Sequence, residues 1–333
     1  MNYIGSKYKL TNFIRSSISA VCGDSNNKVI CDIFAGTGAI GRSFKRDSKK
    51  IIANDVEYYS YVLNKNYIGN HTNMDYLTEL QELNYLRGQE GFIFRNYCSG
   101  GGTGRQYFSD ENGKRIDAIR QTIEDWQNSK RIDDRLYFFL LTSLLEAADA
   151  VANTASVYGA YLKQLKKTAQ KDMVLRPADY VVNDADHEVY NEDANELIKK
   201  IDGDILYLDP PYNHRQYGAN YHMLNTIAKY DSFEPAGKTG LRKYERSRWC
   251  IKNQVSLAFD DLIKNADFKY VFLSYNNEGL MSIEQVREIM SKYGRYELIQ
   301  TDYQRFKADK TASRNHKATA TVEYLHVLEK SSA

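Results

Sequence analysis

A strand that runs directly into a glycine-rich turn is the feature that most constrains the fold of this chain of 333 residues. In "KVICDIFAGTGAIG", β-branched and apolar residues precede Gly36, Gly38 and Gly41, which predicts a strand, a tight turn and a helix in that order. A second apolar run, "KIIANDV", ends near Asp55, about twenty residues after the first glycine. This spacing predicts a parallel α/β sheet that binds a nucleotide-like ligand at the turn.

The strand–helix alternation stops between residues 71 and 180 and then resumes. The interrupting stretch has a glycine-rich loop and helical patterns at 114–130 and 134–170, but little strand pattern. After it come "GDILYLDPPY", "FKYVFLSYNNEG" and a C-terminal pair that we expect to be antiparallel. We therefore expect a doubly wound, Rossmann-like α/β domain formed by residues 1–70 and 181–333, with a mainly helical insertion at 71–180.

A second constraint is the corner "DPPY", which follows a buried strand pattern and uses two of only four prolines. Pro210 and Pro211 fix their own φ angles and remove two backbone donors, so carbonyl acceptors remain beside the carboxylate of Asp209. Tyr212 adds an aromatic face. We expect the strand before this corner to lie next to the first strand, because ligands bind where the strand order of such sheets reverses. The corner then suits a planar exocyclic amine, with Asp209 and the Pro210 carbonyl each accepting one N–H.

Net charge, cysteine spacing and apolar runs argue against an overall polycation, a metal or disulfide framework and a membrane span. The net charge is only +2, so any polyanion partner must be bound by local clusters such as "KTGLRKYERSRWCIK" at 238–252. The four cysteines form no CxxC pair, so we expect reduced thiols and no metal site. The N-terminus does not resemble a signal peptide, and the apolar run at 136–152 is interrupted by Glu146 and Asp149. We expect a cytoplasmic protein with a buried helix at that run and no membrane span.

Asp32, four residues before the first glycine, favours one ligand over others. A carboxylate there would repel a pyrophosphate but could hold a cation. S-adenosylmethionine carries an ammonium group and a sulfonium group and no phosphate, and its carboxylate would suit a nearby lysine. Asp55 could accept hydrogen bonds from ribose hydroxyls.

Together these residues resemble the Dam-like, alpha-group N(6)-adenine DNA methyltransferases, which include many modification methylases of restriction systems. The resemblance covers nearly the whole chain in the family's motif order, through "NYIGSK", "DIFAGTG", "NDVEYYS", "NEDANELI" and "DPPY". It implies a methyltransferase fold, S-adenosylmethionine as methyl donor, and catalysis by Asp209, Pro210, Pro211 and Tyr212. The cofactor-binding residues that it implies are Tyr3, Lys7, Asp32, Phe34, Gly36, Gly38, Asp55 and Asp193. Within that set, Tyr3 would pack on the cofactor, Lys7 would reach its carboxylate, and Asp193 would contact its adenine.

The resemblance also implies how DNA is bound. The insertion at 71–180 occupies the place of the family's target-recognition region, and "RFKADKTASRNHK" matches its basic hairpin. Phosphate contacts would come from Arg305, Lys307, Lys310, Arg314 and Lys317. The target adenine must be flipped out of double-stranded DNA to reach the corner. The resemblance further suggests a bacterial cytoplasmic enzyme, a monomer or weak dimer, functionally paired with a restriction endonuclease.

Several features and alternatives stay open on sequence grounds. "SGGGTGRQYF" and the segment 238–252 exceed a minimal Dam-like pattern, and Arg105, Asn153, Lys163 and Lys166 are candidates for DNA contact or for packing. An NAD-dependent oxidoreductase would explain the glycines but not the corner. A cytosine-amine methyltransferase usually carries serine, and a protein glutamine methylase asparagine, at the position of Asp209. A DNA-binding protein with a vestigial cofactor fold would not need that carboxylate.

Overall fold

The computed structural model describes residues 7–277, 279–303 and 321–331. Seven strands form one sheet in the order β3-β2-β1-β4-β5-β7-β6. Strands β1 to β5 pair with one another in parallel, and β7 is antiparallel to both β5 and β6. The strands are β1 Val29–Asp32, β2 Lys50–Asn54, β3 Glu188–Tyr190, β4 Asp202–Leu208, β5 Asp267–Asn276, β6 Gly294–Tyr303 and β7 Thr321–Lys330.

The strand order reverses between β1 and β4. From β1 the chain goes to β2 and β3 on one side, and then returns to β4 and β5 on the other. Cys31 pairs with Leu206 and Asp32 with Tyr207, so the carboxyl ends of β1 and β4 lie side by side. The predicted doubly wound α/β fold is confirmed, as is the predicted place of the "DPPY" strand beside the first strand.

The helices of the described part of the chain are short, apart from two in the insertion. They are α1 Thr11–Cys22, α2 Ala39–Phe44, α3 Tyr58–Asn64, α4 Leu77–Tyr85, α5 Phe92–Tyr97, α6 Asp110–Asn128, α7 Asp134–Val151, α8 Ala194–Leu197, α9 Tyr217–Asn220, α10 His222–Lys229, α11 Val255–Asn265 and α12 Ile283–Ser291. Single 3-10 turns occur at Lys7–Leu10, Ser99–Gly101 and Arg248–Cys250, and a π turn at Lys65–Gly69.

The chain divides into two compact units. One contains Glu57–Asp184 and Tyr217–Glu245, and the other contains Ser6–Val56, Ala185–Gln216 and Arg246–Ala333. The first unit therefore includes α3, α9 and α10 as well as the helices of the insertion. The sequence-based division at residues 70 and 181 concerns the roles of the segments, and it stays a prediction.

The core of the sheet-containing unit explains why its strands lack polar alternation. The last four residues of β4 are all buried, and so are the last three residues of β1, which pair with it. On one face Cys31, Leu206 and Leu208 pack with buried residues of α8, α11 and α12. Ile205 and Tyr207 point to the opposite face and are equally buried. A parallel strand covered on both faces reads as a continuous apolar run, as observed here.

The insertion is built around α6 and α7. Ser109 and Asp133 cap the two helices by accepting hydrogen bonds from backbone amides in the first turn. Helix α7 ends at Val151, whereas the sequence predicted helix as far as residue 170. The reason is Asn153, a fully buried side chain that donates to the carbonyls of Gln106 and Leu162 and accepts from the Lys166 amide. Such side-chain bonds satisfy the backbone without a helix. In the described ranges, no helix is long and apolar enough to cross a membrane.

Candidate functional site

The turn after β1 requires glycine at two positions. Gly36 and Gly38 have φ angles of +52° and +74°, in the left-handed region that L side chains rarely adopt. The amide of Gly38 donates to the carbonyl of Ala35 at 2.7 Å, and α2 begins at the next residue. The backbone therefore turns tightly at the carboxyl end of β1, where a ligand can approach it closely.

Asp55 holds this turn from the neighbouring strand. Its Oδ2 accepts a hydrogen bond from the amide of Gly36 at 2.8 Å. The sequence expectation was a contact between Asp55 and a ribose, and that role stays a prediction. What the structure adds is a structural task for the same carboxylate, because it fixes the first glycine of the turn.

Asn54 is a residue that the sequence reasoning missed. Its side chain is 1% exposed and donates to the carbonyls of Ile33 and Glu192, both at 3.1 Å. Its Oδ1 accepts from the amide of Glu192 at 3.0 Å. Asn54 thus joins the ends of β1 and β2 to the loop that carries Asp193. The only signal in the sequence was a single polar residue at the end of the apolar run "KIIAN".

Asp193 and Phe34 are two further residues of the predicted cofactor site. Asp193 caps α8 by accepting from the amide of Asn195 at 2.9 Å, and its carboxylate is 3.7 Å from the guanidinium of Arg248. Phe34 is half-buried and packs edge-on against Trp249, with ring centroids 4.8 Å apart. The predicted contacts, of Asp193 with the adenine of the cofactor and of Phe34 with the cofactor, stay predictions.

Asp32 is a buried carboxylate at the end of β1. It is 2% exposed, and its Oδ1 has no hydrogen-bond partner among the described residues. Burial, followed by the nearby negative charge of Asp209, raises the pKa of Asp32 to about 8, although a hydrogen bond from the Gly41 amide favours the charged form. A buried carboxylate with an unused oxygen beside a glycine turn fits a ligand that carries a positive charge.

The predicted catalytic corner begins at Asp209, directly after the last residue of β4. Pro210 is buried, while Asp209, Pro211 and Tyr212 are half-buried. The Tyr212 ring packs edge-on against Tyr275 at 5.9 Å between centroids, and the Tyr212 carbonyl accepts from the amide of Leu280 at 2.9 Å. These contacts fix both the backbone and the ring plane at the corner.

Lys7 points into this corner. Its Nζ lies 3.3 Å from Asp209 Oδ1, donates a hydrogen bond to the hydroxyl of Tyr212 and lies 4.6 Å from the centroid of the Tyr212 ring. The side chain is 5% exposed. The sequence resemblance implied that Lys7 reaches the carboxylate of a cofactor, a role that stays a prediction. In this structure its ammonium is instead paired with the carboxylate and tyrosine of the corner.

Other predicted residues are placed differently or lie outside the described ranges. Tyr3, Arg305, Lys307, Lys310, Arg314 and Lys317 lie outside the described residues. Arg105 donates to the carbonyls of four residues, Asn96, Pro235, Gly237 and Lys238, so its guanidinium ties loops together. Within the described part of the chain, no group of three or more His, Cys, Asp or Glu could hold a metal ion, and the four cysteines are free.

The sheet order, the glycine turn and the corner after β4 are those of a doubly wound α/β protein of the Rossmann-like methyltransferase class. Residues 3–289 match the model of the D12 class N6 adenine-specific DNA methyltransferases, and the chain belongs to this family. It is therefore a DNA methyltransferase, and the predicted adenine specificity is confirmed at the level of the family. Neither the oxidoreductase nor the cytosine-amine alternative is supported.

Three proteins of similar sequence agree with this family. The chain is 62% identical to the Type II methyltransferase M.NlaIII of Neisseria lactamica over 332 residues, which is 99% of each chain. It is 39% identical to the Type II methyltransferase M.CviAII of Paramecium bursaria Chlorella virus 1, over 95% of each chain. It is also 38% identical to the Type II methyltransferase M.FokI of Planomicrobium okeanokoites, and spans about half of that protein, 53% of its length.

Proposed function

We propose that this protein is a site-specific methyltransferase that uses S-adenosylmethionine to methylate the 6-amino group of a flipped adenine in double-stranded DNA. The observation that carries the choice of cofactor is Asp32. In its ionised form this nearly buried side chain, with an unused oxygen, suits the ammonium group of S-adenosylmethionine and would repel the pyrophosphate of a dinucleotide. When bound, S-adenosylmethionine supplies a methyl group already activated by its sulfonium.

The residues of this chain would hold that cofactor from three sides. Gly36 and Gly38 allow the backbone to approach it, and Asp55, already bonded to the amide of Gly36, would accept from its ribose. Phe34 and Asp193 would contact its adenine. Lys7 and Tyr3 would complete the site, Lys7 at the carboxylate of the cofactor.

The catalytic corner would hold the target amine. Asp209 and the Pro210 carbonyl each accept one N–H, which turns the nitrogen lone pair out of conjugation, and Tyr212 stacks on the flipped base. The ammonium of Lys7 lies 3.3 Å from Oδ1 of Asp209, so Lys7 has to leave that oxygen to reach the carboxylate of the cofactor. We therefore expect Lys7 to move from the corner to the cofactor carboxylate when the site fills.

The experiment that tests the proposal replaces Asp209 with alanine. We expect Asp209→Ala to lose transfer of radiolabelled methyl groups to duplex DNA while it keeps DNA binding, measured by fluorescence anisotropy. Asp202→Ala is the matched control, because Asp202 is exposed at the opposite end of the same strand. Normal methylation by Asp209→Ala would show that the catalytic assignment is wrong.

We infer further that the enzyme is the modification partner of a restriction endonuclease in a bacterial cytoplasm and acts as a monomer or weak dimer. The names of its relatives as Type II methyltransferases support this inference. Sequencing methylated DNA from cells that express the protein would report the modified base and the recognition site together. Modified cytosine in place of adenine would contradict the proposal.

A further inference from the structure

Trp249 lies in a short turn to which the function gives no task. The turn Arg248–Cys250 follows Ser247, whose hydroxyl accepts from the amide of Trp249 at 3.3 Å. Trp249 is 2% exposed, although the sequence around it is basic and was a candidate for DNA contact. Its indole therefore contacts other protein residues, and these contacts show what the turn does.

On one side the indole contacts Phe34 and Asn195, the neighbours of the proposed adenine site of the cofactor. It packs edge-on against Phe34, at 4.8 Å and an interplanar angle of 72°. Its Nε1–H donates to Oδ1 of Asn195 at 3.2 Å. The backbone amide of Asn195 in turn donates to the carboxylate of Asp193 at 2.9 Å. One rigid side chain thus fixes Phe34 directly and Asp193 through Asn195.

Asn195 is well placed to transmit this contact. It is fully buried, and its side-chain nitrogen Nδ2 donates to the carbonyl of Ala258 at 2.8 Å and to the carboxylate of Asp261 at 2.7 Å. With its nitrogen committed to α11, its oxygen is the acceptor that remains for the indole. Loss of the indole N–H would leave a buried acceptor unpaired, which costs more than the bond itself contributes.

On the other side the same turn holds the loop that follows the catalytic corner. The amide of Ser247 donates to Oε1 of Gln216 at 2.9 Å, and Nε2 of Gln216 approaches the carbonyl of Ser247 at 3.5 Å. The thiol of Cys250 donates to the carbonyl of Arg215 at 3.6 Å. Gln216 and Arg215 come only a few residues after Tyr212, so the turn restrains the exit of the corner.

We propose that Trp249 is a positioning residue that couples the cofactor site to the catalytic corner. It holds Phe34 and Asp193 in place for the adenine of the cofactor, while the turn around it holds the loop after Tyr212. The inference rests on the proposed function, because it gives that site an additional residue. A tryptophan that only filled the core would change the stability of the protein but not its cofactor binding in particular.

The first test uses the fluorescence of Trp249. The chain has only two tryptophans, and Trp126→Phe leaves Trp249 as the single tryptophan, which is excited selectively at wavelengths that tyrosine does not absorb. We expect S-adenosylhomocysteine to cause a saturable loss of its emission, with a midpoint equal to the dissociation constant that calorimetry gives. Unchanged emission in a protein that binds the ligand would overturn the inference.

The second test uses substitutions that preserve the fold. Trp249→Phe keeps an aromatic ring beside Phe34 but removes the donor to Asn195. We expect it to weaken S-adenosylhomocysteine binding about tenfold, which corresponds to about 1.4 kcal/mol. We expect its KM for the cofactor to rise by a similar factor, with a smaller change in KM for DNA.

Gln216 tests the coupling through a side chain that is not buried in the core. Gln216→Ala removes both contacts with Ser247, whereas Gln216→Glu keeps the acceptor of the 2.9 Å bond. We expect Gln216→Ala to weaken cofactor binding, Gln216→Glu to restore most of it, and the double variant with Trp249→Phe to lose less than the product of the two single effects. Independent effects of the two substitutions would overturn the coupling.

The outcomes separate the inference from the proposed function. If the unmodified protein binds no S-adenosylhomocysteine in calorimetry, the proposed cofactor is wrong and the inference falls with it. If the unmodified protein binds the ligand and Trp249→Phe binds it equally well, the inference alone is wrong.

Discussion

Three ionisable side chains meet where β1 and β4 end. Asp32 is buried, and the nearby negative charge of Asp209 adds to burial in raising the pKa of Asp32. The ammonium of Lys7 pairs with Asp209, but the Oδ1 of Asp32 has no hydrogen-bond partner in the described part of the chain. This arrangement fits the proposed binding of a positive charge at Asp32 and of an amine at Asp209.

This charge arrangement predicts proton release when the cofactor binds. With a pKa of about 8, Asp32 is mostly protonated at pH 7 in the free protein, and a bound ammonium group lowers that pKa. Binding of S-adenosylhomocysteine should then release close to one proton and should tighten as the pH rises from 6 to 7.5. Calorimetry in buffers of different ionisation enthalpy measures the number of protons.

A test variant and a control variant show which group releases the proton. Asp32→Asn should bind without proton release, because the amide has no proton to lose. Asp202→Asn, at the far end of β4, should behave like the unmodified protein. Equal binding enthalpies in all buffers for the unmodified protein would contradict the assignment of Asp32 as the protonated group.

Among the elements, α5 depends on a carboxylate of another helix. Asp117, in α6, is fully buried and accepts from the amides of Gly91, Ile93 and Phe94 at 2.8 to 3.0 Å. The hydroxyl of Tyr230 donates to the same carboxylate at 2.6 Å. Burial raises the pKa of Asp117 despite these donors. The carboxylate satisfies the amino-terminal amides of α5, which has only six residues.

Replacing this carboxylate should destabilise the protein strongly. Asp117→Ala leaves three buried amides without an acceptor, so we expect the free energy of unfolding to fall by about 3 kcal/mol or more. Asp125→Ala, an exposed position two turns further along α6, should change it by less than about 0.5 kcal/mol. Urea denaturation compares the two, and equal stabilities would show that Asp117 does not hold α5.

At the scale of the whole molecule, the charge balance limits how DNA can be bound. The net charge of +2 gives no strong overall attraction, so affinity must come from clusters of cations. The sequence places one such cluster at 305–317, a segment outside the described residues. Contacts from a cluster of this kind are to phosphates, which position the duplex without reading its sequence.

The salt dependence of DNA binding tests that cluster. Arg314→Ala and Lys317→Ala should each weaken binding to all duplexes alike and reduce the slope of log K against log salt by about one. Lys264→Ala, an exposed lysine in α11, should leave the slope unchanged. A slope that stays the same in the Arg314 and Lys317 variants would remove the segment from the DNA interface.

The sequence predicted the backbone geometry of the glycine turn because its signal is local. Positive φ angles at Gly36 and Gly38 follow from the glycine spacing, and the rigid corner follows from Pro210 and Pro211. The end of α7 was predicted wrongly, since no local pattern shows that Asn153 will bond to the backbone at Gln106 and Leu162. Helix propensity continued past Val151, but tertiary contacts stopped the helix.

By itself the sequence determined the doubly wound sheet, the glycine turn, the place of the DPPY corner and the adenine-methylating class, because strand period, turn chemistry and motif order are properties of neighbouring residues. Only the tertiary structure decided how those parts act together. It set the pKa of Asp32, paired Lys7 with Asp209, made Asn54 a link between the ends of β1 and β2, and placed Trp249 against Phe34 and Asn195. Each of these depends on burial and on contacts between residues far apart in the chain, which no local pattern encodes.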